Sequence, residues 1–207
     1  MENRLLRPLE PEEWEQLLLA CHLPKETGVL AERATARNRA ILWVLFETGM
    51  RASEVCGLRL VDVDREQGIL RVRGKGSQQR RLTLGHEGLR HLLAYLDAYR
   101  LGAAECVERT DTSEDHLFLS ETGRPLTKSG IALLFGRLRK RAGITSKNVN
   151  PSLLRESFAM RYLQAGGDLC TLWELLGQKK SASFKHSLRM SDEGMDNQRA
   201  GERLEGH

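Results

Sequence analysis

The sequence predicts a mainly α-helical domain with a small antiparallel β-sheet near its first third. Two observations carry this expectation. Most of the 207 residues fall into stretches with apolar residues at helical spacing, several of them stopped by glycine. One stretch, "GILRVRGKGSQQRRLTL", instead alternates apolar and basic residues on both sides of Gly74–Ser77, the pattern of a hairpin.

In chain order, "PLEPEEWEQLLLAC" opens with acidic residues and continues with the spacing of an amphipathic helix. "AERATARNRAILWVLFETG" predicts a longer helix, and its second half, Ala40 to Phe46, is almost wholly apolar and therefore core. The hairpin follows, then the helix "EGLRHLLAYLDAYRL" and the polar loop "GAAECVERTDTSEDH". "HLFLS" predicts a short strand, and "ETGRPLT" turns into the helix "KSGIALLFGRLRKRAG". "PSLLRESFAMRYLQAGG" and "DLCTLWELLGQ" predict two further helices, closed by Gly166–Gly167 and by Gly177. One more helix is expected from Ser181. Beyond Met190 the tail has few apolar residues and several glycines. The expected organisation is one domain over 1–190 and a polar tail over 191–207.

Composition narrows the function classes. Hydrophobic residues at 40% and charged residues at 29% are ordinary for a soluble globular protein. No apolar stretch approaches the roughly 20 residues that span a bilayer. "MENRLLRPLEPEEWEQ" lacks the apolar core of a signal peptide, so a cytoplasmic location and no membrane partner are expected. Cys21, Cys56, Cys106 and Cys170 are widely spaced and are expected to be reduced core residues. The histidines show no metal-ligand spacing, so no metal and no cofactor are expected. Trp43, Phe46, Phe118, Phe135 and Phe158 fall on apolar faces, as core residues do.

Positive charge gathers in three places. The hairpin carries Arg71, Arg73, Lys75, Arg80 and Arg81. "GRLRKRAGITSK" carries Arg137, Arg139, Lys140, Arg141 and Lys147, and the last part holds Lys179, Lys180, Lys185 and Arg189. Any one cluster is compatible with solvated surface. Three in a chain of net charge +4 suit a groove lined for phosphates. "GKGS" lacks the full phosphate-loop spacing and lies in a hairpin, so that reading is rejected. In "ETGMRASEVCGL", Arg51 follows a glycine-bearing break and precedes Glu54 by three residues. It can pair with Glu54 or direct its fork at an anion.

Four blocks in order resemble the catalytic domain of the tyrosine recombinase (phage integrase) family. "TGMRASEVCGLRLVDVD" (Thr48–Asp64) resembles the first-arginine block. "VRGKGSQQRRLTL" is similar to the hairpin that carries the family's lysine, here Lys75. "PSLLRESFAMRYLQAGGDL" resembles the second-arginine box, with Arg155 in place, and "LWELLGQ" resembles the Leu-Gly-His box. The resemblance covers about residues 8–190. It implies the family's catalytic fold and a DNA breaking-and-rejoining activity that needs neither metal nor nucleotide. Arg51 and Arg155 would hold the scissile phosphate and Lys75 would protonate the leaving 5′ oxygen. Glu54 would brace the site, and Arg73, Arg80, Arg81, Lys179 and Lys180 would contact DNA. The implied partners are double-stranded DNA and further copies of the chain assembled on it. The helical DNA-clamping domain that usually precedes this one is not found in the sequence, and the tail would be a docking segment or a frayed end.

Three departures qualify the implied activity. The family's box histidines are replaced by Ser152, Glu156 and Gln178. Serine and glutamine hydrogen-bond an oxyanion but do not accept a proton near neutral pH. The family tyrosine lies nine residues beyond the last histidine, and that count ends on Ser187. Tyr95, Tyr99 and Tyr162, the only tyrosines, lie elsewhere. The chain is therefore expected to lack its nucleophile and to be deficient in cleavage. A trapped variant, a binding-only relative and attack by Ser187 itself are the competing explanations. The last is disfavoured because an alkoxide is much harder to generate than a phenolate.

Overall fold

The computed structural model describes residues 8–22, 28–74, 79–97, 115–145 and 149–178. Seven α-helices, a three-stranded antiparallel sheet and a short 3-10 turn over Leu60–Asp62 make up the main regular structure among them. They are α1 (Pro11–Ala20), α2 (Val29–Thr48), α3 (Ala52–Gly57), α4 (His86–Tyr95), α5 (Lys128–Arg141), α6 (Pro151–Gln164) and α7 (Leu169–Leu176). The strands are β1 (Val63–Asp64), β2 (Ile69–Arg73) and β3 (Gln79–Thr83), in the spatial order β1-β2-β3.

Local chemistry sets most of the helix ends. α1 begins with proline at its first position, and the Glu13 carboxylate accepts the amide of Glu10 at 3.0 Å. Thr127, Asn150 and Asp168 cap α5, α6 and α7, each accepting a backbone amide with its side chain. The cap of α4 is supplied from outside: Glu47 of α2 accepts the amides of Gly85 at 2.8 Å and Gly88 at 3.2 Å. Burial pushes the Glu47 carboxyl up against these two bonds. α2 and α7 both end on a left-handed glycine, Gly49 and Gly177.

The main core lies between α1, α2, α3, the sheet, α4 and α5. Leu17, Ile41, Leu42, Leu45, Leu70, Leu82, Leu92, Phe118 and Phe135 are buried in it. A second cluster, Ala159, Leu172 and Leu176 with Phe158 and Tyr162 against it, joins α6 to α7. The sheet alternates as a half-buried sheet must. Leu70, Val72 and Leu82 face the core, while Arg71, Arg73 and Arg81 face outward. Val72 pairs with Arg80 across the strands, so Arg80 lies on the inner face. None of the described helices is long and apolar enough to cross a membrane.

Three expectations change. The hairpin gains a third strand, because Val63 and Asp64 pair with Leu70 and Ile69. "HLFLS" forms no strand of the sheet and makes only the isolated bridges Arg59–His116 and Leu119–Pro125. Its Leu117, Phe118 and Leu119 are all buried, which suits a segment wedged into the core better than an alternating strand. Of the cysteines, Cys21 is buried, Cys56 is half-buried and Cys170 is exposed in the first turn of α7. The buried stripe of α7 is Leu172, Trp173 and Leu176, and Cys170 lies off it. Cys106, the helix expected from Ser181 and the tail lie outside the described residues.

Candidate functional site

Arg51 sits at the sharp passage from α2 to α3. Gly49 closes α2 in the left-handed region at φ 60°, and Arg51 then caps α3 with extended backbone. The Glu54 carboxylate, one turn into α3, accepts the Arg51 amide at 2.7 Å and its Nη1 at 3.2 Å. Of the two roles offered by the sequence, the local pair with Glu54 forms, and the Arg51 side chain stays 40% exposed.

The rest of the site is assembled by the C-terminal end of α7. Leu175, Leu176 and Gly177 present successive carbonyl oxygens there, at the negative end of the helix dipole. Arg80 Nε donates to Leu175 at 2.7 Å. Arg155 Nη2 donates to Leu176 at 2.7 Å, and Arg51 Nη1 donates to the same oxygen at 3.3 Å. Arg51 Nη2 lies 3.5 Å from the Gly177 oxygen. Arg155 also donates Nη1 to the carbonyl of Gly49 at 2.6 Å, tying α6 to the end of α2.

Arg80 completes the group. Its fork meets the Glu54 carboxylate with Nη1 and Nη2 at 2.8 Å each, the parallel geometry that guanidinium and carboxylate share. Both side chains are mostly covered, 13% and 7% exposed. Burial raises the Glu54 carboxyl, but the hydrogen bonds from Arg80 and the Arg51 amide, with both positive charges, overcome it and hold it low. Burial, and then the charge of Arg51, bring Arg155 down to about 10. Three guanidinium groups against one carboxylate leave an excess of positive charge, and this arrangement can hold an oxyanion.

The other residues singled out by the sequence distribute around this group. Ser152 is exposed, one turn before Arg155 on α6, and Glu156 is half-buried with its carboxyl pushed up by burial. Gln178 is half-buried directly after Gly177, and its backbone N–H donates to the Trp173 carbonyl at 3.0 Å. Arg73 and Arg81 are exposed on the outer sheet face, Arg73 lying 3.7 Å from Asp62. Arg80, expected among the DNA-contacting residues, instead turns inward to Glu54. Strand alternation carries that signal: Arg80 is in phase with buried Leu82, whereas Arg81 is not. The carbonyls of α7 have no side-chain signature by which a sequence could reveal them. Lys75, Lys179, Lys180 and Ser187 lie outside the described residues. Among the described residues, no three His, Cys, Asp or Glu side chains gather as metal ligands would.

Three arginines converge on the carbonyls at the end of one helix, and comparison with known proteins assigns the lineage of the domain. The chain belongs to the phage integrase family, whose sequence model matches residues 7–193. It is 35% identical over 159 residues to tyrosine recombinase XerC of Bacillus pumilus (strain SAFR-032), covering 77% of this chain and 51% of that protein. It is 36% identical over 176 residues to tyrosine recombinase XerD of Staphylococcus haemolyticus (strain JCSC1435), covering 85% and 55%. The chain spans about half the length of the curated relatives it matches. Among solved structures, XerA recombinase matches with a TM-score of 0.70 and 31% identity over 87% of this chain and 59% of that one. XerH recombinase, in a post-cleavage complex with a palindromic difH substrate, matches with a TM-score of 0.71 and 26% identity, covering 96% and 53%. The fold is that of tyrosine recombinase catalytic domains.

Proposed function

We propose that this chain is the catalytic portion of a site-specific DNA recombinase, with Arg51 and Arg155 as the two sides of a clamp on the scissile phosphate of double-stranded DNA. One observation carries the reading: the two guanidinium groups meet at the Leu176 carbonyl, at 3.3 and 2.7 Å. Like charges brought so close are stabilised by an anion placed between them. Arg155 keeps Nε and one hydrogen on each Nη uncommitted among the described residues, enough for non-bridging phosphate oxygens. Membership of the phage integrase family and the likeness to XerH site-specific recombinase bound to its difH substrate support the same reading.

In the reaction of this class, a tyrosine oxygen attacks phosphorus and the bond to the 5′ oxygen breaks. The arginines stabilise the charge that builds up on the five-coordinate phosphorus. Lys75 supplies the proton that the departing 5′ oxygen takes up. The covalent link conserves the phosphodiester energy until a partner strand reverses the step. Here Ser187 occupies the tyrosine position, so the chain binds and is deficient in cleavage. Self-association would then occur on the DNA.

A second reading is a non-catalytic protein of the same fold that occupies or regulates recombination sites. Ser152, Gln178 and Ser187, in place of two histidines and a tyrosine, favour it. Covalent trapping on nicked suicide DNA separates the two, with the chain compared against Ser187→Tyr. An adduct formed only by Ser187→Tyr establishes a disabled recombinase with a competent site. Binding by both without any adduct favours the second reading. An adduct with Ser187 in place would overturn the assignment of the nucleophile.

A further inference from the structure

We infer that Arg80 is the charge-balancing residue of the site: it neutralises Glu54 and so leaves the positive charge of Arg51 for the bound phosphate. This rests on the reading of Arg51 and Arg155 as a phosphate clamp, and it assigns to Arg80 a positioning role in place of DNA contact.

The bonds around Glu54 show how its charge is shared. A carboxylate has about four acceptor sites, and here they meet Arg80 Nη1 and Nη2 at 2.8 Å, the Arg51 amide at 2.7 Å and Arg51 Nη1 at 3.2 Å. The two short parallel bonds come from the less exposed partner, Arg80. The single long one comes from Arg51, whose side chain is 40% exposed. Glu54 is therefore discharged by Arg80, and Arg51 is only steadied by it.

Arg80 is also turned mostly toward the protein, with its side chain only 13% exposed. Its Nε donates to the Leu175 carbonyl and each Nη gives one of its two hydrogens to Glu54, so three of its five donors are held inside the protein. Gly177 covers it so closely that a Cβ there would lie 2.7 Å from Nη1. That approach, with φ at +60°, demands glycine.

Loss of Arg80 would leave Glu54 buried with Arg51 as its remaining cationic partner. Arg51 would then close onto Glu54 and lose much of its attraction for an anion, although neither clamp arginine had changed. Removing the negative charge of Glu54 at the same time should reverse the defect. A tie that served only to fasten β3 to α7 through Leu175 would be lost equally in both variants and could not be restored that way.

The test is titration of the full chain with inorganic phosphate, read from the arginine Nε–Hε signals in nitrogen-15 NMR spectra. Arg51 and Arg155 should shift on saturation. Arg80→Ala should raise the phosphate Kd roughly tenfold, and Arg80→Ala with Glu54→Gln should bring it back to within about threefold of the parent. Arg80→Lys, which keeps the charge and loses the fork, should stay within about threefold as well. Should Arg80→Ala fail to fold, Glu54→Gln alone reads the same balance and should tighten phosphate by about threefold. An unchanged Kd in folded Arg80→Ala, a double variant as weak as Arg80→Ala, or looser binding in Glu54→Gln would overturn the inference. If neither Arg51 nor Arg155 responds in the parent chain, the phosphate-clamp reading itself fails and takes this inference with it.

Discussion

Arg51 and Arg155 donate to one oxygen, the carbonyl of Leu176, although the chain reaches them from α3 and from α6. The shared acceptor fixes the spacing of two positive charges without using either of them up.

That spacing depends on planar forks. Arg155 reaches Gly49 with one Nη and Leu176 with the other, and a lysine cannot do both. Arg155→Lys should weaken binding of a DNA duplex roughly tenfold while leaving the salt dependence as steep as before. Arg155→Ala should weaken it further and make the log–log salt slope shallower by about 1. Fluorescence anisotropy over a series of salt concentrations measures both quantities. Equal slopes for Lys and Ala would remove Arg155 from the phosphate contacts.

Gly49, whose carbonyl accepts Arg155 Nη1, holds the left-handed conformation at φ +60°. A Cβ there would stand 2.5 Å from Phe158 Cδ1 and 2.9 Å from Leu176 Cδ2. Gly49→Ala should cost about 2–4 kcal/mol, combining left-handed strain with overpacking. A urea unfolding curve gives the value, and a loss below about 1 kcal/mol would mean that the helix end relaxes freely.

The Glu54 carboxyl is held below its ordinary value near 4.5 in the folded chain. Its contribution to stability is therefore complete above that value and is lost as pH falls through the lower, folded value. Comparison of urea midpoints near pH 7 and about pH 3.5 should show a loss on acidification, and Glu54→Gln should flatten that difference. At neutral pH the same substitution should cost about 3 kcal/mol, since Arg80 is left buried with half its partner. A midpoint difference between the two pH values that is the same in Glu54→Gln as in the parent would refute the role of this carboxylate.

Thiol chemistry offers a check on the packing. Burial raises Cys21 to about 12, against the opposing charges of Arg39 and Arg141, and Cys56 to about 11, against Lys128. Cys170 is exposed. A thiol-specific reagent at neutral pH, with labelled sites mapped by mass spectrometry, should modify Cys170 first, then Cys56, and Cys21 only on unfolding. Early labelling of Cys21 would contradict its burial at the end of α1.

Much of the fold is legible in the amino-acid sequence. The helices are visible there because apolar spacing and glycine stops agree along most of the chain. The Arg51–Glu54 pair is visible because three residues make about one helical turn. Arg80 is harder to place, because in the sequence it is one charge within a basic run. Its strand phase with Leu82 turns it to the inner face, where Glu54 waits from an element 26 positions away in sequence. "HLFLS" has strand composition, but composition cannot say whether a ladder partner exists, and here only single residues are available on either side. Cys170 has the apolar neighbours of a core residue, yet one step around α7 puts it outside.

The three arginines meet α7 through its backbone, and a backbone contact ignores side-chain identity but obeys angle. Each residue advances a helix by about 100°. One residue added within Leu169–Leu176 would swing the carbonyls of Leu175, Leu176 and Gly177 away from all three guanidinium groups together. Substitutions on the exposed positions of that helix would leave them where they are. The segment is thus free in composition on its outer side and strict in length, behaving as a gauge whose calibration is its residue count.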